Sequence, residues 1–195
     1  MESKRHKLLI GPIGTGKTAY ARNAARTMFP TFAQSVAYAQ SARIYRSAGL
    51  PVRSDDLESA PFRAPHHTAS TVGLVGALVG GWRPRLGEVS LAHGGVLFLD
   101  NLPEFSRQAV ESIYCAVRYS EVCISRGSSQ VTIPASFRLI AAMNPCPCGY
   151  HGDKRPATPA CYCTQGQVDR YAARIPQWVT EVCDVLTVDQ YGGPS

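Results

Sequence analysis

The sequence contains no long hydrophobic run. No stretch approaches the roughly 18 consecutive apolar residues that a membrane-spanning helix needs, so we expect no membrane partner. The basic residues 4–7 are followed by an apolar stretch that is too short for a secretory signal peptide. We therefore expect a cytoplasmic protein.

Acidic residues are also scarce. Lys and Arg number 20 against 14 Asp and Glu, which gives a formal net charge of +6 over 195 residues. This excess is compatible with a nucleic-acid partner, but a nucleotide-binding site also needs positive charge, so the charge does not decide between them. Hydrophobic residues make up 45% of the chain, enough for the core of one α/β domain.

A phosphate-binding motif lies near the start of the chain. Residues 6–10 are typical of a buried parallel strand, and residues 19–28 are typical of a helix. The pattern G-x-x-x-x-G-K-T between them predicts a phosphate-binding loop, because glycines let backbone N–H groups curl around a phosphate chain. The predicted nucleotide-binding residues are Gly11, Pro12, Ile13, Gly14, Thr15, Gly16, Lys17 and Thr18.

A second motif supplies a carboxylate for magnesium. Residues 94–99 form an apolar segment that ends in Asp100, the pattern of a Walker B strand. We expect the Thr18 hydroxyl and Asp100 to hold Mg²⁺, because a hard cation prefers oxygen ligands, and Lys17 to reach the β- and γ-phosphates. The two motifs therefore predict a nucleoside triphosphate and Mg²⁺ as ligands.

The rest of the chain alternates helices and strands. We predict helices over residues 35–46, 106–120 and 167–175, a loop over 54–60, a β-hairpin over 122–133, and strands over 137–144 and 182–188. Prolines and glycines argue against one continuous helix over residues 61–81. The layout predicts a three-layer α/β fold with a parallel central sheet and with ligands at the carboxyl ends of its strands.

Four of the seven cysteines form two Cys-x-Cys pairs with twelve residues between them. In extended backbone, residues i and i+2 point to the same face, so each pair presents two sulfurs together, and four thiolates suit a tetrahedral structural zinc site. Free or redox-labile thiols and disulfides are the alternatives. The candidate ligands are Cys146, Cys148, Cys161 and Cys163, in a Cys-rich loop over residues 145–164. The other three, Cys115, Cys123 and Cys183, lie in apolar patterns and are predicted core residues.

Three further segments resemble a known family: residues 62–70 (FRAPHHTAS), 87–100 (GEVSLAHGGVLFLD) and 141–150 (AAMNPCPCGY). Together with the phosphate loop, they resemble the magnesium-chelatase-like branch of the AAA+ ATPases, and especially its bacterial ComM-like members. The resemblance implies a P-loop AAA+ core with a β-hairpin insertion, working in a homo- or hetero-oligomeric ring. Because those members are associated with DNA processing, it also implies nucleic acid as a further partner. Asn144 falls at the sensor-1 position, where its amide would contact the γ-phosphate or the attacking water.

Two positions depart from the family pattern. The glutamate that follows the Walker B aspartate in the family, and polarises the attacking water, is replaced here by Asn101. An amide orients water but does not take its proton. An Asp-Arg pair of the family aligns with Glu181 and Val182, so an arginine that would act on a neighbouring subunit is missing.

These observations predict an ATP-binding AAA+ core with weak or absent hydrolysis. The predicted catalytic positions are Lys17, Asp100, Asn101 and Asn144. We expect one AAA+ core over residues 1–195, without a lid domain or an N-terminal domain. The alternatives are a non-catalytic regulatory or assembly subunit of an AAA+ ring, and an active DNA-translocating ATPase.

Overall fold

The computed structural model describes residues 5–28, 36–50, 60–80 and 83–188. The helices are α1 (Lys17–Met28), α2 (Val36–Ser47), α3 (Thr71–Val75), α4 (Glu88–Leu91), α5 (Arg107–Ser112), α6 (Tyr114–Tyr119), α7 (Gln165–Ala172) and α8 (Gln177–Val182), with a 3-10 helix at Leu102–Glu104. The strands are β1 (His6–Ile10), β2 (Phe62–Arg63), β3 (Gly76–Val79), β4 (Arg83–Leu86), β5 (Val96–Leu99), β6 (Glu121–Arg126), β7 (Ser129–Pro134), β8 (Arg138–Met143) and β9 (Cys183–Thr187).

A parallel sheet of five strands, in the order β2-β5-β8-β1-β9, forms the centre of the fold. Strand β1 pairs with both β8 and β9, so the loops that follow β1 and β8 must emerge side by side at the carboxyl edge of the sheet. The Walker B strand β5 pairs with the other side of β8. This strand order brings the phosphate loop, Asp100 and Asn144 to one edge, as the sequence predicts.

Both faces of the sheet are covered, which accounts for its continuous apolar strands. Alternate residues of β5 belong to different clusters: Val96 and Phe98 pack with α1, whereas Leu97 and Leu99 pack with α5, α6 and α8. This period of two along a strand, with helices on either side, is the predicted three-layer α/β arrangement.

Several local predictions are confirmed, and some need correction. Strands β6 and β7 form the predicted hairpin, and the segment after residue 70 changes from helix to strand rather than continuing as one helix. The predicted helix over 106–120 is two helices, because helical hydrogen bonding is interrupted at the buried Ile113. Val182 ends a helix, α8, that the sequence pattern did not predict, and the last strand begins one residue later.

Two cysteines predicted to lie in the core are instead exposed. Cys115 and Cys123 face solvent, whereas Cys183 is buried as expected. Both exposed thiols lie on elements whose other side is buried, with Ala116 next to Cys115 and with Val122 and Ile124 on either side of Cys123. The predicted loop over 54–60 lies outside the described residues except for its last position. Among the described residues, none of the helices combines the length and apolar character that crossing a lipid bilayer requires.

A buried histidine at the start of β1 gives the fold a pH dependence. The Nδ1 atom of His6 accepts a hydrogen bond from the backbone N–H of Leu139 at 2.9 Å. Burial lowers the pKa of His6 from 6.5 to about 4, and the positive charges of Arg5 and Arg138 act in the same direction. Since the unfolded chain takes up this proton first, acid favours unfolding below the unfolded-state pKa.

We expect the free energy of unfolding to fall by about 2 kcal/mol from this group as the pH drops from 7 to 5. Chemical denaturation at both pH values measures it. The control is His6→Asn, which retains an acceptor for the Leu139 N–H but does not titrate. Because burial also lowers the pKa of His93, the test is the difference between wild type and variant. An equal loss in the two proteins would contradict the assignment.

Candidate nucleotide-binding site

The phosphate loop connects β1 to α1 at the carboxyl edge of the sheet. Its first residue is fixed to the neighbouring strand, because the Gly11 N–H donates to the Met143 carbonyl at 3.2 Å. Gly14 has a φ of +78°, in the left-handed region that favours glycine. The loop therefore has the glycine-dependent shape that the motif predicts, and the first turn of α1 follows it directly.

Lys17 lies across this loop with its ammonium group buried. Its Nζ donates to the carbonyls of Gly11 at 2.6 Å and Pro12 at 2.8 Å, and to Asn144 Oδ1 at 3.2 Å. Burial lowers the pKa of Lys17, the carboxylate of Asp100 opposes this shift, and the positive charge of Arg155 adds to it. The lysine therefore feels the charges of an acidic and a basic side chain, and it borders the cavity beside the loop.

Thr18 and Asp100 form an oxygen pair beside the lysine. Thr18 Oγ1 lies 3.2 Å from Asp100 Oδ2, and the other carboxylate oxygen accepts the N–H of Asn101 at 3.0 Å. Adjacent ligands of an octahedral Mg²⁺ with bonds of about 2.05 Å are about 2.9 Å apart. The spacing and chemistry of this pair therefore fit a magnesium ion.

Asn101 and Asn144 complete the polar side of the site. Asn144 Nδ2 donates to Asn101 Oδ1 at 3.4 Å, so the two amides are linked, and Asn144 is linked in turn to Lys17. Asn101 has the left-handed backbone angles φ 54° and ψ 51°, which asparagine tolerates better than most residues. The position of this amide at the mouth of the cavity therefore depends on a residue type that tolerates the left-handed conformation.

A cavity of about 490 Å³ joins these groups. It is lined by residues 13–18 of the phosphate loop together with Asp100, Asn101 and Asn144. The structure thus brings together all of the predicted catalytic positions and most of the predicted loop, while Gly11 and Pro12 contribute the carbonyls that hold Lys17. The arrangement combines backbone N–H groups, one ammonium group and one oxygen pair, the donor set that a nucleoside triphosphate with Mg²⁺ requires.

The position where the family has an arginine lies away from this cavity. Glu181 and Val182 come just before β9, hence at the amino edge of the sheet, and Val182 packs against the hydrophobic core. The phosphate loop is at the carboxyl edge. A residue at position 182 is therefore remote from the nucleotide site of its own chain.

The four candidate metal ligands also come together. The sulfur atoms of Cys146, Cys148, Cys161 and Cys163 all lie within 4.8 Å of one another. Sulfur–sulfur distances of 3.3 Å (146–148), 3.8 Å (146–161) and 3.6 Å (148–161) compare with edges of about 3.8 Å in a tetrahedron with zinc–sulfur bonds of about 2.3 Å. They exceed the roughly 2.05 Å of a disulfide. The donor set and spacing fit a tetrahedral zinc ion.

The thiols of this cluster are linked by hydrogen bonds. Burial raises the pKa of Cys148, but hydrogen bonds from the Tyr150 backbone and from the neighbouring thiols outweigh it and lower the pKa to about 6. At Cys161 a backbone hydrogen bond from Cys163 lowers the pKa, but burial and the thiols of Cys148 and Cys146 raise it to about 12.

The structure also shows a contact that the sequence analysis missed. The cysteine loop, residues 145–164, lies against the phosphate loop: the Ile13 N–H donates to the Gly149 carbonyl at 3.3 Å, and Arg155 Nη2 donates to the Ile13 carbonyl at 2.6 Å. The strand order is the signal that could have revealed it, because the residues after β8 must lie beside those after β1. No local pattern around Arg155 indicates its partner.

Comparison with known proteins identifies relatives along most of the chain. The family described as magnesium chelatase, subunit ChlI, matches residues 3–190. The YifB protein of Escherichia coli K12 is 42% identical over 153 residues, covering 78% of this chain and 29% of that protein. The competence protein ComM of Haemophilus influenzae is 40% identical over 148 residues, covering 75% of this chain and 28% of that protein. The chain spans about a third of the length of the curated relatives it matches.

Solved structures share the fold at low sequence identity. NtrX from Brucella abortus in complex with ATP superposes with a TM-score of 0.52 and 16% identity, covering 95% of this chain and 33% of that chain. Its ADP complex gives a TM-score of 0.53 at 16% identity, with 95% and 32% coverage. At this identity the likeness establishes the fold alone.

Proposed function

This chain belongs to the magnesium chelatase ChlI-subunit family of AAA+ ATPases, and from that membership we propose that it binds Mg·ATP and hydrolyses it weakly or not at all. The nucleotide-binding core would occupy residues 1–195, with the cysteine loop inside it. The phosphate loop of residues 11–18 would hold the phosphates, and Thr18 and Asp100 would hold Mg²⁺.

The main support is that the groups expected of a phosphate site converge on one cavity. Lys17, the Thr18–Asp100 oxygen pair and Asn144 all border it, although they come from three separate parts of the chain. Mg²⁺ supplies charge neutralisation to the phosphates when it is bound. The loop N–H groups and Lys17 would bind the phosphates. The Asn144 amide would orient the γ-phosphate or the attacking water.

Weak hydrolysis follows from the side chain that faces the same cavity at position 101. The Asn101 amide has no basic atom to accept a proton from water, and losing a positioned general base costs about 10² to 10⁴ in rate. Val182 likewise has no charge to offer a neighbouring site. Both replacements also favour a second candidate, a non-catalytic regulatory or assembly subunit of an AAA+ ring.

Calorimetric titration of the chain with ATP and Mg²⁺, paired with a steady-state ATPase assay, tests these functions. We expect binding that depends on Mg²⁺, with turnover far below that of an active AAA+ motor. Binding with no detectable turnover would favour the non-catalytic subunit. Rapid turnover without any partner would contradict the proposal and support an active ATPase, such as the DNA-translocating motor that the family resemblance implies. Absence of ATP binding would contradict all three.

We also propose that the chain assembles into a homo- or hetero-oligomeric AAA+ ring in a reducing cytoplasm. Seven free thiols suit a reducing compartment, and the ring rests on membership of the family. Sedimentation velocity with and without Mg·ATP tests the ring.

Nucleic acid is a further partner that we propose from the family and from the net charge of +6. Binding to single- and double-stranded DNA, measured at two salt concentrations, tests this proposal.

A structural zinc ion held by the four clustered cysteines is the other cofactor we propose. The cysteine loop is rich in polar residues, glycine and proline, so it has little apolar surface to bury. Zinc coordination would stabilise its folded conformation instead. Two of its four ligands, Cys146 and Cys148, are buried, so the ion would be shielded from water on one side. Metal analysis of protein purified without chelators is expected to give one zinc per chain.

Restoring the glutamate of the family is expected to recover little activity. In Asn101→Glu, a carboxylate would be added to the site, but the left-handed backbone disfavours most side chains by about 1–2 kcal/mol, and the contact with Asn144 would be lost. We expect the steady-state ATPase rate to rise less than about tenfold, well below the roughly 10² to 10⁴ that a correctly positioned general base contributes. Asn101→Asp is the control for the backbone effect, because it also adds a carboxylate but tolerates the left-handed conformation. A hundredfold rise in Asn101→Glu would show that the glutamate is the only missing group.

A further inference from the structure

The cysteine loop holds both backbone polar groups of one phosphate-loop residue. The N–H of Ile13 donates to the Gly149 carbonyl at 3.3 Å, and the carbonyl of Ile13 accepts from Arg155 Nη2 at 2.6 Å. The side chain of Ile13 also lies over Gly149, where an added Cβ would come within 2.5 Å of the Ile13 Cδ1 atom. The phosphate loop therefore does not take its shape from its own sequence alone.

The contact with Arg155 determines where the next N–H group points. The peptide between Ile13 and Gly14 is planar and trans, so its C=O and N–H point in opposite directions. With the carbonyl held toward the cysteine loop by Arg155, the N–H of Gly14 is directed away from that loop. Gly14 lines the phosphate cavity, and backbone N–H groups are the donors that such a loop offers to phosphate.

Arg155 is itself held in place within the cysteine loop. Its Nε and Nη2 atoms donate to the carboxylate of Asp153, whose side chain is 3% exposed, at distances of 2.7 to 3.1 Å. The Thr158 hydroxyl donates to the Arg155 carbonyl at 2.8 Å. The guanidinium is thus fixed by a fork of hydrogen bonds, and its charge is close enough to act on Lys17.

The candidate metal ligands flank this hydrogen-bonded segment in the sequence. Asp153 and Arg155 lie between the two Cys-x-Cys pairs, and the His151 N–H donates to Cys146 Sγ at 3.4 Å. Closing four sulfurs around one ion fixes both ends of the segment that contains Arg155. Without the ion, that segment depends on its few internal hydrogen bonds.

We propose that Arg155 is a positioning residue for the phosphate loop, and that the four-cysteine metal site acts through it to strengthen nucleotide binding. The proposal rests on the function proposed above, because it concerns the same nucleotide site. By linkage, if the metal raises nucleotide affinity by some factor, bound nucleotide raises metal affinity by the same factor. The cysteine loop would then couple metal content to nucleotide occupancy.

The first test measures Mg·ATP affinity by calorimetry in Arg155→Ala, with Lys154→Ala as the matched control. Both changes remove one positive charge from neighbouring residues, but the exposed Lys154 has no hydrogen bond to the phosphate loop among those found in the described structure. We expect affinity to fall about tenfold in Arg155→Ala, the scale of one charge-assisted hydrogen bond, and to stay within about twofold in Lys154→Ala. Arg155→Lys is expected to recover part of the loss. Metal content is measured in every variant.

The second test needs no nucleotide. Hydrogen–deuterium exchange of a peptide covering residues 11–18 is expected to be faster in Arg155→Ala, and in wild type stripped with a zinc-selective chelator, than in Lys154→Ala. In the presence of Mg·ATP, release of zinc to a chromogenic chelator is expected to slow about tenfold, as the linkage requires.

The outcomes separate this inference from the proposed function. If wild type binds Mg·ATP but Arg155→Ala binds as tightly as Lys154→Ala and exchanges at the same rate, the inference is overturned while the proposed function stands. If wild type binds no nucleotide but exchange over residues 11–18 responds to Arg155 and to metal, the proposed function fails while the structural coupling stands. A metal-free wild type with unchanged affinity overturns the role of the metal.

Discussion

Replacing Lys17 with alanine is expected to weaken Mg·ATP binding about 100-fold, equivalent to about 2.7 kcal/mol. The ammonium group is buried and lies on the carbonyls of Gly11 and Pro12, so it is already desolvated before any ligand arrives. Moving it onto a phosphate exchanges two neutral acceptors for charged ones, and hydrogen bonds between charged groups contribute about 1.5–3 kcal/mol each. Calorimetric titration of wild type and Lys17→Ala with Mg·ATP measures the difference.

Two controls show whether the loss belongs to this lysine. Lys154→Ala removes the same charge from the adjoining cysteine loop and is expected to change affinity by no more than about twofold, as for an exposed charge. Circular dichroism of Lys17→Ala is expected to match wild type, because Lys17 contacts loop carbonyls and one amide rather than the hydrophobic core. A loss of less than about fivefold would mean that the phosphates do not lie against Lys17.

The local parts of this fold follow from the sequence because each is specified over a few residues. The phosphate loop requires glycine and lysine at fixed spacing, and the hairpin of β6 and β7 requires a tight turn at Gly127 and Ser128 between alternating strands. Apolar strands such as β5, buried on both faces, are continuous in the sequence and easy to recognise. These features locate Lys17, Asp100 and Asn144 at one edge of the sheet.

Other features depend on tertiary contacts, and the sequence pattern does not contain them. The helix predicted over 106–120 is interrupted at the fully buried Ile113, although its residues are suitable for one continuous helix. Helix α8 is too short to give a periodic signal. The left-handed backbone at Asn101 is likewise a property of the turn that joins β5 to the 3-10 helix.

The contact between the cysteine loop and the phosphate loop is the clearest case. Arg155 and Ile13 are 142 positions apart, and their hydrogen bond joins a side chain to a backbone carbonyl, which any residue type could supply. Only the parallel pairing of β1 with β8 places the two loops side by side. The sequence thus predicts two separate sites, for nucleotide and for metal, and the structure shows that they share a boundary.

Removing one metal ligand is expected to unfold the cysteine loop while leaving the sheet intact. In Cys148→Ser we expect zinc content to fall from about one to below about 0.1 per chain, because a hydroxyl is a poor zinc ligand and Cys148 is a buried member of the cluster. Structural zinc contributes about 10–16 kcal/mol to folding in isolated zinc-finger peptides. Here the loop adjoins a preformed sheet, so the loss falls on residues 145–164.

Limited trypsin digestion measures that local loss, since the Lys154–Arg155 bond lies in the middle of the loop, whereas the Arg155–Pro156 bond resists trypsin. We expect cleavage there to be at least about tenfold faster in Cys148→Ser than in wild type, while near-ultraviolet circular dichroism of the core changes little. Cys123→Ser is the matched control: it removes an exposed thiol from β6, outside the cluster, and is expected to keep both its zinc and its resistance to trypsin. Wild-type protease resistance in a zinc-free Cys148→Ser would show that the loop is held by its contacts with the phosphate loop and needs no metal. Equal zinc loss in both variants would instead place the ion outside the four-cysteine cluster.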